Sequence, residues 1–216
     1  MKEQEIIEKT TEFVKKTLTN TEKGHDWGHI NRVLLLSKTI AKKENANLFV
    51  VEMGALLHDI ADPKFQGGDE EIGPKIAKNF LDNINLDSSL TDHIVKIIEN
   101  ISFRKSFDQK FKSKELDIVQ DADRLDAMGA IGITRAFHYG GYKNKKIYDP
   151  EIKPHKNISM EEYKKEDSPT INHFYEKLLL LKDKMNTQTG KELAEKRHKF
   201  MEQFLEEFYR EWDGKE

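Results

Sequence analysis

Gly54-Ala55-Leu56-Leu57-His58-Asp59-Ile60-Ala61-Asp62-Pro63-Lys64 carries an apolar segment into a His-Asp pair and then breaks at proline. The residues from Phe49 onward are rich in Val, Leu and Ala, so Phe49 to Ile60 reads as a short, deeply buried helix. Pro63 has no N–H and disfavours the α conformation at Asp62, which ends the helix near Ile60 or Ala61 and leaves Asp62 and Lys64 on a loop. An imidazole and a carboxylate at the end of a buried helix are costly unless they are paired, hydrogen-bonded or bound to a metal. Taken alone, the pair also fits a solvated helix end. The rest of the chain has to decide.

Working outward, Ile6, Ile7, Phe13, Val14 and Leu18 recur at helical spacing over Glu3 to Leu18. A second helix begins after Gly24-His25-Asp26-Trp27-Gly28-His29, with Asp26 as N-cap and Leu34, Leu35, Leu36 and Ile40 in its body. Beyond the break at Gln66-Gly67-Gly68-Asp69, Ile72, Ile76, Phe80 and Leu81 mark one amphipathic helix, and Leu90, Ile94, Ile97, Ile98 and Ile101 the next. Leu116 to Asp126 combines apolar periodicity with Asp121, Asp123 and Asp126, and continues through the small residues Ala127 to Ile133. Gly140 to Lys156 reads as a long loop, and loops of that length often carry function. Ser168-Pro169 starts a helix through Phe174, Leu178, Leu181 and Met185, and Thr189 to Glu192 resembles a capping box for a last helix through Trp212.

The expectation is an all-α helical globule of one domain, 1–216, with the polar chemistry in a core of about 20–140 and a loop with packing helices over about 140–216. Composition agrees: 35% of residues are charged and 37% hydrophobic, with only 12 Gly and 5 Pro. The formal charge of -3 argues against duplex nucleic acid as a partner. With no cysteine, disulfides, thiolate metal sites and a cysteine nucleophile are excluded. No apolar signal core opens the sequence and no apolar run approaches a membrane span, so the protein is expected to be soluble and cytoplasmic.

Three segments supply imidazole and carboxylate groups: His25/Asp26/His29, His58/Asp59/Asp62 and Asp121/Asp123/Asp126. Spacing alone selects His25 and His29, which are i,i+4 on one helical face. It ranks His58 and Asp59 lower, because adjacent helical residues point about 100° apart. Among the three aspartates it makes no choice.

His29-Ile30-Asn31-Arg32-Val33, the helix ending His58-Asp59, and Asp121-Ala122-Asp123-Arg124-Leu125-Asp126 together resemble the HD-domain metal-dependent phosphohydrolases. Asp26-Trp27-Gly28-His29, His58-Asp59-Ile60-Ala61-Asp62-Pro63-Lys64, Ile101-Ser102-Phe103-Arg104 and Asn172-His173-Phe174-Tyr175-Glu176-Lys177-Leu178-Leu179 are similar to a bacterial subfamily associated with nucleoside triphosphate pyrophosphohydrolysis. The resemblance runs from about Gly24 to Trp212. It implies a metal held by His29, His58, Asp59 and Asp123. His25 then orients a ligand or starts the helix, while Asp121 and Asp126 orient, cap or form salt bridges.

A site of two imidazoles and two carboxylates suits one divalent cation, Mn²⁺ or Mg²⁺ foremost, with Fe²⁺, Co²⁺, Ni²⁺ or Zn²⁺ also compatible. By the same resemblance, Asp62 is the expected general base or water-orienting group, against a hydrogen bond within its loop. Lys64, Arg32, Arg104 and Arg124 are candidate phosphate-binding cations, Lys64 foremost because it shares the loop of the His-Asp pair. Against that, Arg32 can pair with a site carboxylate, Arg104 can be solvated, and Arg124 can brace Asp121 or Asp126. His173 and Lys177, i,i+4 on one helix, are candidates for the distal end of a phosphate chain, against a polar face closing over the site. Phe103, Phe107, Phe137, Tyr139 and Tyr142 read as core rather than as a base-stacking surface.

The expected function is metal-dependent hydrolysis of a nucleotide, with water attacking the α-phosphorus of a nucleoside or deoxynucleoside triphosphate. The alternatives are a nucleotide phosphomonoesterase or cyclic phosphodiesterase, and a nucleotide-sensing protein without turnover. The partner is a small phosphate compound, with neither duplex nucleic acid nor membrane, and a homodimer is compatible with the chain.

Overall fold

A computed structural model describes residues 2–18, 26–61, 71–101, 111–155 and 168–215. Among them are nine α-helices and no strand, so the all-α expectation holds. The chain divides into two compact units, 1–123 and 124–216.

The first unit contains α1 (Glu3–Thr17), α2 (Trp27–Glu44), α3 (Leu48–Leu57), α4 (Ile72–Asn83), α5 (Ser88–Asn100) and most of α6 (Lys114–Asp126). Every residue of α3 after Leu48 is buried, and α1, α2 and α5 pack around it. Burial of Met53, Leu56 and Leu57, none of them accessible to solvent, stabilises the unit by about 1.5–3 kcal/mol for each side chain. Gly54 permits the close packing: a Cβ there would meet Ile97 at 3.2 Å and Val119 at 3.5 Å. A single acid interrupts the apolar helix. Glu52 is buried, and Lys38 on α2 reaches it at 2.7 Å, which ties the two helices together.

The second unit holds α7 (Gly129–Tyr142), α8 (Asn172–Glu176), a 3₁₀ helix (Leu178–Lys184) and α9 (Gln188–Trp212). α9 packs on α7 and on the 3₁₀ helix. Gly129 has φ +68, the left-handed conformation that separates α6 from α7, so the pattern expected to continue through Ala127 to Ile133 is split.

Other boundaries moved as well. α7 runs through Gly140 to Tyr142, because Ala130 to Phe137 supply enough helical residues to carry the glycines along, and the loop starts only at Lys143. The helix expected from Ser168-Pro169 is instead the short α8 followed by 3₁₀ turns, with a break at Lys177 (φ -143). The last helix is capped by Thr187, whose side chain accepts the Gly190 N–H at 2.9 Å, rather than by Thr189. No helix among the described residues is long and apolar enough to cross a membrane.

Candidate metal centre

The Asp26 carboxylate accepts the His29 N–H at 3.0 Å and closes the first turn of α2, as its N-cap position predicts. His29 is thereby fixed in that turn, 2% exposed. On α3, Asn47 caps the start by accepting the Val50 N–H at 3.2 Å, and the helix gives out at Leu57. The helix therefore ends earlier than the expected Ile60 or Ala61. Ile60 donates to Leu57 across a tight turn at 3.4 Å, and His58 and Asp59 sit in that turn. His58 keeps a helical backbone at the C-cap (φ -58, ψ -30), and a donor atom of each of the adjacent pair nevertheless converges with His29.

His58 is 7% exposed, and its Nδ1 lies 2.8 Å from the Ala55 carbonyl. A carbonyl only accepts, so Nδ1 carries the proton and Nε2 presents a lone pair. That Nε2 lies 3.3 Å from His29 Nε2. Asp123, from α6, brings Oδ1 to 3.5 Å from His29 Nε2 and 4.0 Å from His58 Nε2. Asp59 Oδ2 is 4.0 Å from His29 Nε2, and donor atoms of His29, His58 and Asp59 all lie within 4.8 Å of one another. Around an ion with bonds of about 2.1 Å, neighbouring ligand atoms stand roughly 3 Å apart and opposite ones about 4.2 Å, so these separations fit one cation.

Burial pushes the His58 pKa down, against the pull of the Asp123 and Asp59 carboxylates, and His29 lowers it further. The imidazole is therefore neutral and available as a ligand. The donor set contains nitrogen and oxygen atoms only, which matches borderline and hard divalent cations.

The neighbouring aspartates differ. Asp121 is fully buried, and Asp126, 1% exposed, is engaged by Arg135. Arg124 donates to the Lys184 carbonyl. Arg32 is half-buried on α2. His173 and Lys177 belong to the second unit, where the Lys177 N–H donates to the His173 carbonyl at 3.0 Å. Burial, with Lys177 and Lys145 nearby, lowers the His173 pKa to about 3. Phe137 is half-buried and packs against Phe174 and Phe204, whereas Tyr139 and Tyr142 are 56% and 62% exposed, contrary to a core role. His25, Asp62, Lys64, Arg104, Phe103 and Phe107 lie outside the described residues. Sequence reasoning missed the Lys38–Glu52 pair, whose one signal was a lone acid in an apolar run.

The HD domain family matches residues 26–128, a span that contains all four converging side chains. YpgQ of Bacillus subtilis is 37% identical over 99% of this chain and 97% of its own length. The chain belongs to the HD-domain metal-dependent phosphohydrolases. The crystal structure of an HD-superfamily hydrolase from Bacillus thuringiensis is similar with a TM-score of 0.80 and 44% identity, covering 98% of this chain and 99% of that one. YpgQ has also been crystallised in complex with ADP, and that structure is similar with a TM-score of 0.77 over 98% of this chain and 97% of that one. A divalent metal is the family's cofactor, and His29, His58 and Asp59 form a cluster able to bind one.

Proposed function

We propose that this HD-domain phosphohydrolase converts a nucleoside or deoxynucleoside triphosphate to the monophosphate and pyrophosphate, using one Mn²⁺ or Mg²⁺ ion held by His29, His58, Asp59 and Asp123. The observation that carries the metal site is the approach of two imidazole Nε2 atoms to 3.3 Å with carboxylate oxygens 3.5 to 4.0 Å away. The ADP complex of YpgQ supports a nucleotide as substrate. The chain is read as one functional domain, 1–216, working in the cytoplasm.

The cation contributes Lewis acidity toward water and phosphoryl oxygen. His58 enters as a neutral imidazole held in one tautomer by Ala55, so binding a cation requires no proton to leave it. Asp123, the most exposed of the four ligands at 41%, faces the approach of substrate and solvent. Asp62 orients the attacking water and takes its proton as the water oxygen bonds to the α-phosphorus and the α–β anhydride bond breaks. Pyrophosphate leaves with the bonding electron pair. Lys64, Arg32 and Arg104, in the same unit as the cluster, are the candidate cations for offsetting phosphate charge.

A panel of mono-, di-, tri- and cyclic nucleotides incubated with Mn²⁺, Mg²⁺ or Co²⁺, with the phosphorus products resolved, tests the reading. Pyrophosphate from triphosphates is the expected product. Orthophosphate from monophosphates would replace the proposal with a phosphomonoesterase, and nucleotide binding without any product would mean a sensor.

A further inference from the structure

Three contacts between α6 and α3 step along one face of α6. Glu115 Oε1 accepts the N–H of Asn47, the N-cap of α3, at 3.2 Å. One turn further on, Val119 meets Gly54: a Cβ at 54 would stand 3.5 Å from Val119 Cγ2, with Ile97 Cγ2 of α5 at 3.2 Å on its other side. After one more turn Asp123 brings Oδ1 to 4.0 Å from Nε2 of His58. Residues 115, 119 and 123 are spaced i, i+4, i+8 on α6, and residue 58 follows residue 54 by four at the helical end of α3. The Gly54–Val119 contact is therefore the last one before the two metal-site side chains. Gly54, Ile97 and Val119 are all buried, so crowding there cannot be relieved into solvent.

Bonds from imidazole and carboxylate to a divalent cation are about 2.1 Å long and tolerate little change, so the gap between the two helices decides whether both can reach one ion. A side chain at 54 larger than a methyl group has to push α6 outward, and Asp123, one turn away on the same helix, moves with it. We propose that Gly54 is a positioning residue of the metal centre: by presenting no side chain, it sets the separation of α3 and α6 at which Asp123 and His58 share a cation. The proposal rests on the reading of His29, His58, Asp59 and Asp123 as the four ligands.

The test is Mn²⁺ affinity of the full chain, freed of metal with EDTA and titrated by calorimetry, beside the Tm of the metal-free protein. Alanine at 54 stands at ordinary contact distance from Val119 and crowds only Ile97, so G54A should keep its affinity within about twofold. G54V should bind Mn²⁺ about tenfold more weakly, the scale on which losing the support of a ligand acts. V119L overfills the same contact from the α6 side and should weaken binding too, which keeps the test open if G54V does not fold. Adding V119A to G54V returns room to α6 but not to Ile97, so affinity should recover while Tm stays below that of the wild type. In a D123A background, where the ligand is already gone, G54V should lower affinity no further, whereas a general loosening of the core would add to the loss. Wild-type affinity in both G54V and V119L, or losses that simply follow Tm across the set, would overturn the positioning role. No Mn²⁺ binding by the wild type, or undiminished binding by D123A, would instead remove the four-ligand reading on which the proposal rests.

Discussion

His58 Nε2 faces His29 Nε2 at 3.3 Å, while the other ring nitrogen of His58 is committed to the Ala55 carbonyl at 2.8 Å. At most one proton fits between the facing nitrogens, and neither imidazole can rotate away without abandoning a buried position. A cation held by His29 and His58, with Asp59 and Asp123 beside them, would remove the conflict.

Metal binding should therefore be visible in stability. Adding Mn²⁺ to EDTA-treated protein at about 100 times its dissociation constant should stabilise the folded state by about 2.7 kcal/mol. That corresponds to a rise in Tm of roughly 5–10 °C for a chain of this size. Asp59→Ala and His58→Ala should lose both the shift and the activity, whereas Asp62→Asn should keep the shift and lose rate. Full activity with an undiminished Tm shift in Asp59→Ala would remove the metal assignment.

The Lys38–Glu52 pair predicts a stability effect away from the metal. Glu52 is 4% exposed within an apolar helix, so Lys38→Ala leaves a buried carboxylate without its cation. Complete burial of the pair would imply 3–5 kcal/mol, and the partial exposure of Lys38 reduces this to about 2 kcal/mol. Lys38→Ala combined with Glu52→Gln should recover much of the loss. Urea unfolding of the three proteins checks this, and equal destabilisation of the single and double variants would refute it.

The sequence was most legible where one physical term dominated. The apolar run of α3 had no other place than a core, and Asp26 had a free N–H within reach of its carboxylate. Among Asp121, Asp123 and Asp126, spacing was silent, because the choice depends on where α6 lies against α2 and α3 and on Arg135 engaging Asp126. The His58-Asp59 pair was underrated by helical geometry because spacing along α3 says nothing of how near α2 brings His29. Around Ser168, Phe174, Leu178 and Leu181 are all buried at spacings that α and 3₁₀ turns both satisfy, so periodicity did not distinguish one long helix from two short pieces.

Gly129 supports a prediction about the end of α6. Its φ of +68 is costly for any residue with a Cβ, and a Cβ there would lie 3.1 Å from Cγ of Arg197, whose guanidinium donates to the Leu125 carbonyl. Gly129→Ala should destabilise the protein by about 1–2 kcal/mol through backbone conformation, with a further loss if Arg197 is displaced. Thermal or urea unfolding gives the number, and a change below a few tenths of a kcal/mol would contradict the left-handed conformation.

His173 predicts how stability depends on pH. Burial, aided by Lys177 and Lys145, lowers its pKa to about 3 in the folded protein, against an ordinary value of 6.5. Between those values the unfolded chain binds a proton that the folded chain does not, so this group's contribution is intact above about pH 6.5 and lost progressively toward pH 3. At pH 5 the loss is about 2 kcal/mol, from 1.36 kcal/mol for each unit. His173→Gln should flatten that part of the profile, leaving a smaller fall in stability between pH 7 and 5 than the wild type shows. Urea midpoints measured at half-unit pH intervals on both proteins provide the comparison, and parallel profiles would show that His173 titrates normally in the folded state.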